Sequence, residues 1–148
     1  MYGDSLETAI DLIKQEGTSL VLLKQDEMIH RADGRGVTPL LALYDDAPEK
    51  FRGATVVDRV IGKAAAMILV LGGAGIVWGD LMSMAARDYL RRHGIETGCA
   101  ELLPLIHNRT ETGMCPIEQS VLNLNDPVEG LEVIRKTTRA LRDGTLTP

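Results

Sequence analysis

The sequence predicts an α/β protein of three layers, helices against both faces of a sheet. Segments of helical and strand periodicity alternate along most of the chain, and one helix, over residues 62–71, is apolar on nearly every side and so belongs inside a core. Hydrophobic residues make up 45% of the 148 residues but aromatics only 3%, so that core is aliphatic. A chain of this length fits one domain and buries roughly 68–70% of its unfolded surface.

Asp4 with Glu7 three residues later is a capping-box pattern, and Leu6, Ala9, Ile10 and Ile13 form one stripe before Gly17 stops the first helix. Residues 18–24 are rich in Leu and β-branched side chains, and 27–31 form an antiparallel partner across Gln25-Asp26. After Gly34-Arg35-Gly36, Thr38 is placed to cap a second helix with Pro39 at its first position, and Leu40, Leu41, Leu43 and Tyr44 as its inner face. Residues 45–50 read as a polar connection.

The central unit follows, a buried strand over 53–58 and the apolar helix over 62–71. Another strand is centred on Ile76-Val77-Trp78, ending at Gly79. Met82, Ala85, Ala86, Tyr89 and Leu90 give the apolar face of a helix over 83–92, which Gly94 ends. A short edge strand over 95–100 precedes a helical turn over 102–106, interrupted by Pro104. Asn108 opens a polar loop, and Cys115 sits at the cap of a short helix with Pro116 first. Val128, Leu131, Ile134 and Leu141 stripe a final helix whose cations Arg135, Lys136, Arg139 and Arg142 suit its dipole. The later strands of such an order are parallel.

Composition excludes several functions. A net charge of −5 lacks the basic footprint that nucleic-acid binding demands, and Arg87, Arg91 and Arg92 read as a solvated helix face. Two cysteines, Cys99 and Cys115, and no apolar leader argue for reduced thiols in a cytoplasmic protein. The longest uncharged run, 64–79, is too short and too rich in glycine to span a bilayer.

Four signatures resemble an uncharacterised family of small bacterial domains placed in the cytidine-deaminase-like superfamily: Gly34-Arg35-Gly36-Val37 with Pro39-Leu40-Leu41, Asp58 through Ala65, Asn108-Arg109, and Gly113-Met114-Cys115-Pro116. They span about residues 5–122, which sets a domain over 1–124 with a helical extension over 125–148. The resemblance implies a mixed five-stranded sheet with helices on both faces. It does not imply deamination. The His-x-Glu and Pro-Cys-x-x-Cys elements that hold zinc in such enzymes are missing, and cations, Arg35 and Lys63, stand at the corresponding helix starts. No metal and no cofactor are expected; an anion is.

The candidates for chemistry follow from position. Asp58 at a strand end and Lys63 at a helix start form either a ligand-orienting pair or an ordinary ion pair; a lysine there opposes the dipole and needs a counter-anion, Asp58 or a ligand. Cys115 at a helix cap is either a thiol activated by the dipole, with Arg109 adding to the effect and Glu118 opposing it or accepting a proton, or a small apolar residue. Arg35 with Gly36, Gly62, Asn108 and Arg109 are candidate ligand contacts, or turn and capping residues. The reading these support is a metal-independent protein that binds an anionic, nucleotide-like small molecule, with Cys115, Asp58 and Lys63 as catalytic candidates. The alternative is a non-catalytic ligand-sensing or oligomerisation module. Either form is expected to be a homo-oligomer.

Overall fold

In a computed structural model, which describes residues 4–148, the chain folds around a five-stranded sheet of order β2-β1-β3-β4-β5. The elements are α1 (Asp4–Glu16), β1 (Leu20–Lys24), β2 (Glu27–Ala32), α2 (Thr38–Asp46), β3 (Thr55–Ile61), α3 (Lys63–Gly72), β4 (Ile76–Ser83), α4 (Met84–Arg92), β5 (Glu96–Leu103), α5 (Pro116–Ser120) and α6 (Pro127–Asp143). β1 runs antiparallel to β2 and β3, whereas β3, β4 and β5 are mutually parallel. The sheet is therefore mixed, with helices on both faces. Gln25 and Asp26 both take positive φ, the backbone that a tight two-residue hairpin requires. The Asp4 side chain of the expected capping box lies outside the described residues.

The two faces are covered unequally. Leu6, Ala9 and Ile13 of α1 pack on Val21, Leu23, Val57 and Trp78, while Ile10 is half-buried. The opposite face carries the larger core, where α2, α3, α4 and α6 meet Leu20, Leu22, Val56 and Val77. α3 is the centre of that layer: every residue from Ala64 to Leu69 is buried, as its all-round apolar sequence demands. α6 packs directly on α3, and a side chain at Gly130 would overlap Met67. Ile134 is its buried anchor; Val128, expected in the same stripe, is exposed.

Several boundaries differ from the sequence expectation for identifiable reasons. β3 and β4 run on to Ile61 and Ser83, because each continues the ladder with its parallel neighbour. That extension supplies Met82 and Ser83 as partners for Leu102 and Leu103, so the expected turn over 102–106 is instead the end of β5, which stops just before Pro104. Met82 consequently belongs to β4, Ser83 caps α4 by accepting from the Ala86 N–H at 3.0 Å, and Ala85 is exposed. The cap position of α2 is Val37 rather than Thr38, with no side-chain cap; the Thr38 amide donates to the Arg35 carbonyl instead. Its inner face is Pro39, Leu40 and Leu43, with Leu41 and Tyr44 only half-buried. The polar connection after it holds a short 3-10 turn, Pro48–Phe51, whose Phe51 is fully buried against Gly72.

Candidate functional site

The carboxyl end of β3, the start of α3 and the loop before α2 hold most of the sequence candidates. In open α/β sheets this end of the parallel strands is where ligands bind. Asp58 lies within β3, three residues before its end, facing the larger core beside Leu20 and Gly79. It is 4% exposed. Its Oδ1 accepts the Arg59 N–H at 2.7 Å, and no ion pair with it occurs among the described residues. Burial pushes the carboxyl up to about 7, against the opposing pull of the Arg59 and Val60 N–H groups and the Arg59 charge. The Arg59 guanidinium itself points to the Gly17 carbonyl at the end of α1.

Lys63 does not pair with Asp58. Its Nζ donates to the Leu122 carbonyl at 3.1 Å and lies 5.9 Å from the centre of the Tyr89 ring. Burial and the Arg92 charge lower its pKa, while Glu118 raises it. The counter-anion required at the start of α3 is Glu118 of α5, whose two carboxylate oxygens accept the Lys63 and Ala64 N–H groups at 2.6 and 3.0 Å. Burial raises the Glu118 pKa; those two N–H groups and the Lys63 charge pull it down. An internal carboxylate thus caps a helix across 54 residues of sequence, at the N–H groups an external anion would use. Gly62 makes this approach feasible, since a Cβ there would overlap the Glu118 carboxyl group.

Arg35 stands in a loop built for rigidity. Gly34 (φ +146°) and Gly36 (φ +57°) both adopt backbone that L side chains rarely take. Ser19 Oγ donates to the Gly34 carbonyl at 2.6 Å and accepts the Gly34 N–H at 3.1 Å, while the Ser19 carbonyl accepts the Arg59 N–H at 3.0 Å. Ser19 thereby ties the Arg35 loop to the strand position next to Asp58. The Arg35 guanidinium is exposed and has no hydrogen bond or ion pair among the described residues.

The remaining candidates lie on the segment after β5. Asn108 organises its own turn: Oδ1 accepts the Thr112 and Gly113 N–H groups at 2.9 and 3.3 Å, and Nδ2 donates to Thr112 Oγ1 at 3.1 Å. Arg109 is exposed on that turn. Cys115 occupies the cap position of α5 as expected, half-buried, with no side-chain capping bond. Sequence reasoning missed Ser19 altogether and assigned Glu118 to Cys115 rather than to α3. The available signal was Gly62, a residue without a side chain immediately before an uncapped helix start.

Among the described residues, no group of three His, Cys, Asp or Glu side chains converges so as to hold a metal ion. No helix of the described residues is long and apolar enough to cross a membrane.

Fold and site together define a small α/β domain built on a mixed five-stranded sheet with helices on both faces. Residues 8–138 match the family model TM1506, domain of unknown function DUF1893, and the chain belongs to that family. The match continues into α6. Among solved structures, the DUF1893 family protein TM1506 of Thermotoga maritima is similar over 92% of this chain and 91% of that chain, at 23% identity and a TM-score of 0.83. That likeness speaks for the fold alone. No curated protein matches the chain.

Proposed function

We propose that this protein is a metal-independent binding domain for a small anionic molecule of nucleotide type, held at the Gly34-Arg35-Gly36 loop, which Ser19 links to the strand position next to Asp58. The observation that carries the reading is the presentation of Arg35. An unpaired guanidinium sits between two glycines in left-handed or strained backbone, on a loop that Ser19 anchors through both the N–H and the carbonyl of Gly34. A preorganised guanidinium fork loses little entropy when it engages a phosphate or carboxylate. Asp58, with a carboxyl that exchanges its proton near neutrality, supplies either a donor or an acceptor to a polar ligand group.

Titration calorimetry with inorganic phosphate and a set of nucleoside monophosphates tests this. Wild-type protein should bind at least one of these probes, and Arg35→Ala should weaken that binding by about tenfold to a hundredfold, the worth of one charge-assisted hydrogen bond of ~1.5–3 kcal/mol. No binding by wild type, or equal binding by the variant, defeats the reading. A catalytic version adds the Cys115 thiol as nucleophile. It requires iodoacetamide to modify Cys115 ahead of Cys99; equal modification leaves a binding function only.

One observation favours the second reading, a non-catalytic module acting through contacts between copies. Glu118 already occupies the N–H groups of Lys63 and Ala64, and Lys63 itself is turned to Leu122. The start of α3 is thus an internal joint. A concentration-dependent mass in sedimentation, together with silence in the calorimeter, would select that module.

A further inference from the structure

The sheet has two edge strands, β2 and β5, and they are finished differently. The ladder of β2 with β1 shifts register between Leu22 and Leu23, an irregularity of the kind that discourages a further strand. β5 runs for 8 residues without Lys or Pro and keeps one register with β4, from Ile76↔Glu96 to Ser83↔Leu103. The Glu96 N–H donates to the Gly75 carbonyl at 3.4 Å, so in this parallel ladder the N–H and C=O of Thr97 and Cys99 face outward. Those groups have no hydrogen-bond partner among the described residues, which leaves them as a template for another strand.

Charge is distributed unevenly along this edge. Arg91, in the last turn of α4, donates through Nε to Thr97 Oγ1 at 3.1 Å, which sets a guanidinium beside the first half of β5. Glu101 stands exposed in the second half. Neither has an ion pair among the described residues. We propose that two copies of the chain join antiparallel along β5, about a two-fold axis at Cys99, into one continuous sheet. Cys99 of each copy then exchanges both main-chain hydrogen bonds with Cys99 of the other. In that register residue 97 of each copy opposes residue 101 of the other, and the Arg91 guanidinium meets the Glu101 carboxylate at both ends of the junction. Glu96 opposes Leu102, so no carboxylate faces a carboxylate. A parallel junction in register would instead set like charges opposite one another, so charge selects the antiparallel one. The proposal rests on the second reading above, contacts between copies, and names its surface; the Arg35 loop follows β2, at the far edge of the sheet, and stays free in the joined form.

Sedimentation of the full chain over rising concentration, with amide hydrogen exchange on the same samples, tests the junction. A reversible dimer is expected, in which the Thr97 and Cys99 N–H groups exchange about tenfold more slowly than in the monomer, or slower still. Arg91→Glu and Glu101→Arg should each weaken the dimer about tenfold, since each replaces two symmetry-related attractions with repulsions. The double variant Arg91→Glu/Glu101→Arg should return to within about threefold of wild type, which separates a restored charge pair from a misfolded chain. A monomer at every concentration overturns both this junction and the reading that acts through contacts between copies. A dimer whose Thr97 and Cys99 amides stay unprotected, or one that ignores the single reversals or is not rescued by the double variant, overturns the junction alone and leaves that reading standing.

Discussion

Replacing Asp58 with asparagine is expected to stabilise the protein at pH 8 by roughly 2–4 kcal/mol and to flatten its pH–stability curve. The free acid belongs near 3.8, whereas burial holds the folded-state value at about 7. Between those values the folded chain binds a proton that the unfolded chain does not, so stability falls as pH rises through this window. The full cost of the buried anion is present above pH 7 and gone below about pH 4. Every tenfold difference in proton affinity between the folded and unfolded chain is worth ~1.4 kcal/mol, which sets the upper end of the range. An asparagine keeps an oxygen for the Arg59 N–H and carries no charge to desolvate. Urea unfolding of both proteins at pH 5, 6, 7 and 8 measures the effect. A wild-type stability that does not decline over that range, or a variant difference independent of pH, would show that Asp58 titrates as an ordinary carboxylate. If the Arg35 loop and Asp58 serve one ligand, the same substitution should remove the pH dependence of ligand binding while the fold gains stability, a separation that a purely structural carboxylate would not produce.

The layout of the fold was legible because its signals are local. Hairpin residues at Gln25-Asp26, the β-branched run before Asp58, the all-apolar α3 and Cys115 with Pro116 each declare their element within a few residues. What failed was whatever depends on a neighbour. Leu102 and Leu103 read as a turn beside Pro104 because nothing in their own sequence shows that Met82 and Ser83 extend β4 to meet them. Val128 fits a helical stripe by spacing, but the path of α6 across α3, set by the contact of Gly130 with Met67, leaves it in solvent. The site divides in the same way. Asp58, Lys63 and Arg35 were visible as charges at element boundaries, whereas the pairing of Lys63 with Leu122, the capping of α3 by Glu118 and the grip of Ser19 on Gly34 are long-range contacts. A charge can be read from sequence; the group that satisfies it requires the fold.

That capping contact carries the second large effect, and it can be dissected because two residues depend on it for different reasons. Glu118→Ala should cost about 2–4 kcal/mol, since it leaves the Lys63 and Ala64 N–H groups buried without partners at ~1–3 kcal/mol each, with partial relief from water. Gly62→Ala should cost a similar amount by another route. The backbone at Gly62 (φ −101°, ψ −176°) is open to any residue, so conformational strain contributes nothing, and the whole penalty comes from a methyl group placed where the Glu118 carboxyl sits. Because each change removes the same cap, the double variant Gly62→Ala/Glu118→Ala should be destabilised by less than the sum, with a coupling of about 1–3 kcal/mol. Equilibrium denaturation of the four proteins at one pH closes the cycle. Additive losses would mean that Gly62 is needed for something other than the approach of Glu118, and that α5 is docked on α3 by its apolar contacts rather than by its carboxylate.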